Sequence, residues 1–408
     1  MIQPPSPAVS PLPQPPKRGA LWRPVVTLGI TQIVGFGTIY YAFGVLVGPL
    51  GTTLGISQTL AYGLLSAGLL AGAVTAPLAG RLIDVRGARG AMAAGSLASA
   101  LAFVALALVQ GPWTLAAALL LVELVAPLVL YDAAFAAVAQ AVGEARARRA
   151  ITLTTLLGGF ASTVFWPLTL LLEQLWGWRG AYLTFAALHL CLCLPLHLSL
   201  PRLAPGGPAR DPAGPQFPPL PQHLQSRAMV LLALGLSLSW AVMSAFSAQW
   251  VPVMAAVGLS QGLAVTAGAM MGPAQVGARV LEMLFASHRH PMITAIIAMA
   301  CLAAAVLVLV LAPVGLASAM VFAVLFGAGQ GLATMVRGTV PLALFGLAGY
   351  AARLGRLASL RSLVAAISPF AMAASLATLG PWVTLGLAAA LAGVSLVVMV
   401  LVPWRVKG

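Results

Sequence analysis

Residues 56–110 read ISQTLAYGLLSAGLLAGAVTAPLAG, then RLIDVRGAR, then GAMAAGSLASALAFVALALVQ. Two apolar runs, 56–80 and 90–110, flank a short stretch that carries Arg81, Asp84, Arg86 and Arg89. The runs are rich in Ala and Leu and lack the alternation of period two that a barrel strand needs. About 20 apolar residues in a helix cross the roughly 30 Å hydrocarbon core of a bilayer. Only helices or closed barrels can cross, because lipid offers no partner to a bare peptide group. This stretch is therefore two spanning helices joined by a charged loop.

The pattern repeats along the chain. Apolar residues make up 61% of the 408 and charged residues 7%, with a mean hydropathy of +1.02. A soluble domain carries about 25% charged residues, so this chain cannot cover a water-facing surface. Twelve apolar segments are expected, at 24–50, 56–80, 90–110, 113–142, 150–173, 179–200, 228–256, 261–286, 291–312, 314–345, 357–379 and 381–403. Residues 201–227 hold eight prolines and divide the segments six and six. The expected organisation is a disordered tail (1–21), a six-helix bundle (22–200), a Pro-rich linker (201–227) and a second bundle with a short tail (228–408).

The net charge is +14, and its distribution points to a membrane rather than to nucleic acid. Lys17, Arg18 and Arg23 fall on one side, as do Arg81, Arg86 and Arg89, then Arg146, Arg148 and Arg149. The same side receives Arg202, Arg210, Arg227, Arg289, Arg353, Arg356, Arg361, Arg405 and Lys407, while the opposite loops offer Glu173 and Arg179. That asymmetry places both termini and the linker in the cytoplasm of a multi-pass protein of the inner or plasma membrane. Cys191, Cys193 and Cys301 all lie in apolar segments without a second ligand pair, so no metal or cofactor is expected. No HExxH and no nucleophile elbow is present, which argues against a membrane enzyme.

The halves look like copies. Segment 2 ends Arg81-Leu82-Ile83-Asp84 and segment 8 contains Arg279-Val280-Leu281-Glu282, while Asp132 and Arg337 occupy corresponding places in segments 4 and 10. Duplicated six-helix halves with a central site are a recurring transporter architecture.

Gly80-Arg81-Leu82-Ile83-Asp84-Val85-Arg86-Gly87-Ala88-Arg89 resembles the loop motif Gly-x-x-x-Asp-x-x-Gly-Arg-Arg/Lys of the major facilitator superfamily, with Ala88 at the penultimate place. Trp176-Gly177-Trp178-Arg179 is similar to the start of helix 6 in that family. The resemblance implies an all-α integral membrane fold of twelve helices in two pseudo-symmetric bundles. These would rock about a cavity lined by helices 1, 4, 7 and 10. The drug-antiporter pattern in helix 5 is not reproduced, and helix 4 lacks the Arg common in proton-coupled members. Segment 8, Gly272-Pro273-Ala274-Gln275-Val276-Gly277-Ala278-Arg279, is similar to that of monocarboxylate porters, where an Asp precedes a carboxylate-binding Arg by four residues. Here Gln275 stands in the place of the Asp.

A charge inside a spanning helix costs about 2.5–3.5 kcal/mol on insertion scales and marks a functional candidate. Asp132, Arg337 and Glu123 are candidates for coupling, with Asp132 and Arg337 expected to form a switching ion pair. Nine residues separate Glu123 from Asp132, which puts them on opposite faces unless Pro127 bends the helix. Arg279 is expected either to bind substrate through its planar fork or to pair with Glu282. Gln275, Tyr40, Tyr41, Trp240 and Gln249 complete the substrate-binding candidates. Gly80, Arg81, Asp84, Arg86, Gly87, Arg89 and Glu282 are read as gating residues. His189 and His197 are expected to pack.

The leading expectation is a proton-coupled secondary transporter of a small organic anion such as a monocarboxylate. Its partners would be the small-molecule substrate, protons and membrane lipids, with no nucleic acid, and the chain would act as a monomer. The alternatives are a drug or metabolite efflux pump and, from another class, a membrane scaffold or enzyme.

Overall fold

The computed structural model describes residues 22–202 and 217–404. The tail 1–21, residues 203–216 of the linker and the last four residues lie outside the described residues. Among the described residues the regular structure is helical, with no strand. Ten helical runs are long and apolar enough to cross a membrane. One of them, Glu144–Leu198, has 55 residues, about 80 Å at 1.5 Å per residue, too long for a single crossing. It turns back at Gly177, whose φ of 68° suits a residue without Cβ. The Trp176–Arg179 motif makes this corner. Trp178 Nε1 donates to Thr53 Oγ1 at 3.0 Å, and Arg179 lies 4.0 Å from the Trp178 ring centre and donates to the Val109 carbonyl at 3.0 Å.

Divided there, the described helices group into twelve. They are α1 (Trp22–Leu54), α2 (Gln58–Arg86), α3 (Ala88–Ala107), α4 (Pro112–Val142), α5 (144–176), α6 (178–198), α7 (Gln222–Ala256), α8 (261–285), α9 (Pro291–Leu311), α10 (Leu316–Phe345), α11 (Tyr350–Leu379) and α12 (Pro381–Val400). Each half has its own apolar core, around Phe103, Tyr182 and Phe185 in the first and Phe246, Trp250, Phe322 and Phe326 in the second. A third core joins the halves at the arginine-rich face, where Ile83, Tyr131 and Phe135 meet Tyr350 and Leu354.

The helices near the pseudo-axis are interrupted. α1 loosens into a π turn at Phe36–Tyr41, α4 breaks between Val125 and Tyr131, α5 at Gly159–Phe160, and α8 between Gly268 and Met271. In α4 the cause is Pro127, which removes an amide donor and leaves carbonyls free. Neighbouring side chains take them up: Gln32 Nε2 donates to the Val129 carbonyl at 2.8 Å and Thr75 Oγ1 to the Leu124 carbonyl at 3.2 Å. Broken backbone at this depth survives only with such partners. By contrast α3, α9 and α12, which pack chiefly within their own halves, run unbroken.

Four boundaries differ from the sequence expectation by six residues or more. α2 ends at Arg86 rather than 80, α5 begins at Glu144 rather than 150, α7 at Gln222 rather than 228, and α11 at Tyr350 rather than 357. The last shift has a clear cause. The Asp84 carboxylate of the other half accepts from the Ala351 and Ala352 amides at 3.1 and 2.7 Å, so the first turn of α11 finds its acceptor outside itself. Below that contact α2 and α11 pack backbone to backbone. A Cβ on Gly80 would strike the Ala351 carbonyl, and one on Gly355 the Ala76 carbonyl. Gly355→Val should therefore overpack this seam, at a typical penalty of about 1–3 kcal/mol. A lower melting temperature in detergent is the expected result; unchanged melting would contradict so close an approach.

Candidate functional site

The break in α4 creates a helix start within the membrane, and Asp132 lies in the first turn of Tyr131–Val142. Its negative charge sits at the positive end of the half-helix dipole, with no backbone amide among the described residues donating to it. Ten residues separate it from Val142, about 15 Å of depth at 1.5 Å per residue. Arg361 of α11 donates through Nη2 to Asp132 Oδ2 at 2.9 Å. Arg337 of α10 stands farther off, with Nε 3.9 Å from Oδ1, and both of those atoms are buried without a hydrogen bond. The short partner of Asp132 is thus Arg361, not the expected Arg337. Arg361 was assigned to a cytoplasmic loop by its sequence neighbours, yet it is buried in α11.

Arg337 is surrounded by rings rather than by acceptors. Its guanidinium carbon lies 5.0 Å from the ring centre of Tyr131, 5.4 Å from Phe135 and 5.5 Å from Trp240. Trp240 also lies 4.8 Å from Arg361 and so bridges the two cations. Cation–π contacts offset part of the cost of holding a guanidinium away from water. They leave its N–H groups free: among the described residues Arg337 makes no hydrogen bond.

Arg279 is differently engaged. Its Nε donates to the Gly331 carbonyl at 3.1 Å, Nη1 to the Thr155 carbonyl at 3.1 Å, and Nη2 to Thr334 Oγ1 at 3.3 Å. Thr155 lies in the last turn of the Glu144–Gly158 half of α5, where the helix dipole favours a cation, and its carbonyl also accepts from the Gly159 amide. Arg279 is buried across the two halves, and it does not pair with Glu282. Gln275 donates to Gln330 Oε1 at 2.7 Å, and Gln330 reaches Ser247 at 3.4 Å, so these three join α8, α10 and α7. Gln249 donates to the Pro369 carbonyl at 3.4 Å. Tyr40 is 61% exposed, edge-on to Tyr41 at 5.6 Å, and continues through Phe36 to Tyr131. Glu123 is buried on the far side of the α4 break, against α2, away from Asp132.

The halves meet through α2 with α11 and through the arginine-face halves of α4, α5 and α8 with their partners. Asp84 on the α11 amides makes one closure. The other is Arg148 of α5, whose Nη2 lies 2.6 Å from Glu282 Oε1 of α8 and 3.1 Å from the Ala286 carbonyl, while Nη1 donates to the Arg289 carbonyl. Thr294 donates to the same Glu282 oxygen at 3.2 Å. Beside them His290 accepts from the Met292 amide, and burial together with Arg148 holds its imidazole down at about 4. Arg81 and Arg86 are exposed and Arg89 half-buried, and none of the three makes an ion pair among the described residues. Gly87 ends α2 with φ 81°. Sequence reasoning missed Arg361 and Arg148. Arg361 lies 11 residues into α11, about 16 Å down, level with Asp132, a depth that shows only once the start of α11 is known.

A profile of the Major Facilitator Superfamily matches residues 28–369. Among solved structures, the human organic anion transporter MFSD10 (TETRAN) is 17% identical with a TM-score of 0.71, covering 95% of this chain and 100% of that one. FucP in its outward conformation is 13% identical with a TM-score of 0.72, over 95% of this chain and 100% of that one. The proton:xylose symporter XylE, bound to 6-bromo-6-deoxy-D-glucose, is 13% identical with a TM-score of 0.69, over 94% and 96%. Identities this low speak for the fold alone. No curated protein sequence matches the chain.

The central ion pair makes a clean test. Removing one partner of a buried pair typically costs about 3–5 kcal/mol, whereas replacing both can be nearly neutral. Asp132→Leu should melt well below wild type, and Asp132→Leu with Arg361→Leu should recover most of the loss. Equal melting of the single and double variants would show that the two residues do not pair.

Proposed function

This chain belongs to the major facilitator superfamily, and we propose that it is a secondary active transporter moving a small organic anion by alternating access. The chain is a multi-pass membrane transporter, not an enzyme. The observation that carries the anion reading is the charge of the centre. Three buried arginines, Arg279, Arg337 and Arg361, stand against one acid at the centre, Asp132, whose side chain is 21% exposed, while the second acid, Glu123, is buried beyond the α4 break. The site stays positive whichever protonation state Glu123 takes. Arg337, with unfilled donors and apolar rings around it, is the contact for a carboxylate. Arg361 and Asp132 form the pair between α11 and α4 that must rearrange as the halves rock. Arg279 holds α5 to α10 and contributes field rather than a direct contact.

The arginine-rich face is the cytoplasmic one by the positive-inside rule. Asp84 and the Arg148–Glu282 pair then close the cytoplasmic side, and an anion enters from the opposite face toward Arg337. A cationic drug suits this centre poorly, since the ring faces of Tyr131, Phe135 and Trp240 already hold guanidinium groups. MFSD10, a member of the same fold described as an organic anion transporter, shows that the scaffold admits such cargo. Protons are the proposed coupling ion.

Binding to the folded state raises apparent stability, so benzoate and lactate should each raise the melting temperature of purified protein, and tetraphenylphosphonium should not. Arg337→Ala should weaken benzoate at least about tenfold, a loss of roughly 1.4 kcal/mol or more. Stabilisation by tetraphenylphosphonium alone would favour drug efflux instead. For orientation, alkaline phosphatase fused after Pro212 should be inactive; activity there would invert the topology.

A further inference from the structure

Glu123 is 5% exposed in the upper half of α4 and has neither a hydrogen bond nor an ion pair among the described residues. Asp132, by contrast, is tied to Arg361. The groups that face Glu123 are few. That half of α4 packs against α2 and α3, and neither residues 68–75 of α2 nor 92–107 of α3 include a titratable side chain. Tyr40 of α1 is its titratable neighbour. An ionised carboxylate at such a place, with no cation beside it, costs several kcal/mol. The neutral acid is the form that fits the packing.

The packing itself is tight. A Cβ on Gly68 of α2 would come within 3.1 Å of Glu123 Cγ, and one on Gly72 within 2.7 Å of the Glu123 carbonyl. That carbonyl is one that Pro127, four residues on, leaves without its helical donor. Thr75 fixes the same seam through the Leu124 carbonyl. Gly68, Gly72, Ala76 and Gly80 recur every four residues and form one ridge of α2. The upper part of this ridge seats on Glu123. Its lower part seats on α11, where Ala76 meets Gly355, Gly80 meets Ala351, and Asp84 holds the Ala351 and Ala352 amides. Helix α2 is continuous from Gln58 to Arg86 across Pro77, so a shift at one end of the ridge is felt at the other.

We propose that Glu123 is a proton-binding site whose protonation seats the glycine ridge of α2 and thereby keeps the α2–α11 closure shut. Loss of the proton places a charge in the α2–α4 seam, draws in water and unseats α2, which loosens Asp84 from α11. The proposal rests on the transporter reading for its purpose, in that it links proton binding to the gate. It assigns the proton to Glu123 and leaves Asp132 as a structural and switching partner.

The test needs no substrate, so its failure is separable from failure of the anion assignment. Amide hydrogen exchange of the peptide containing Ala351 and Ala352 is measured on the full chain in lipid nanodiscs. It is read at about pH 5.5 and about pH 8.5, corrected for the intrinsic pH dependence of exchange, with protection reporting local opening. Wild type should lose roughly fivefold or more of its protection at the higher pH, since local opening free energies vary across a fold. Glu123→Gln should stay protected at both, and Glu123→Asp should keep the pH dependence. Gly72→Ala, which wedges α2 from α4 without touching the carboxyl, should be poorly protected at both. Wild-type protection that does not change with pH, or a pH dependence that survives in Glu123→Gln, overturns the proposal.

Discussion

The contact between Arg361 and Asp132 fixes how the two halves can sit. Each side chain belongs to a different bundle, and neither can be abandoned in a medium that does not solvate it. While they stay together, α4 and α11 are bound near mid-depth, and the third apolar core can form beside them from Tyr131, Phe135, Tyr350 and Leu354. Trp240 then fills the space between Arg361 and Arg337, and Arg337 is left with rings on several sides and with Asp132 Oδ1 no closer than 3.9 Å. The character of the central site follows from how one carboxylate is shared unequally between two arginines.

Interruption of the axial helices is the second organising fact. A straight α4 would have placed Asp132 in the middle of a helix, with its amides satisfied and no dipole to meet it. The break turns the same residue into the first turn of a new helix, and the freed carbonyls are paired by Gln32 and Thr75. Just before the break in α5, the Thr155 carbonyl takes Arg279 across the interface as a second donor beside the Gly159 amide. Polar side chains that looked like packing residues in an apolar helix are thus spent on backbone groups.

The fold could be read from the chain because lipid imposes a simple rule on length and polarity. The helix groups, the Gly177 corner and the place of Asp84 all follow from residues local in sequence. The partners at the centre were harder to read. Arg353, Arg356 and Arg361 look alike in sequence, but the first two stay near the face while the third is roughly one to two turns deeper, and the difference depends on where α11 starts. That start is set by Asp84, 267 residues away. Arg148 was hidden for the same reason, among Arg146 and Arg149. Arg279 was recognised as unusual, but nothing local showed that its donors are filled by carbonyls of two other helices.

The two closures on the arginine face are alike in position and unlike in what they recognise. Asp84 reads peptide amides, which every residue except proline presents. Arg148 and Glu282 read each other's side chains. Over evolutionary time the first contact leaves positions 351 and 352 free to drift so long as their amides and small size remain, and asks only that 84 stay acidic. The second binds 148 and 282 into a pair whose members can change only together. Among relatives with the same architecture, covariation should therefore mark one latch and be silent at the other, although both close the same door.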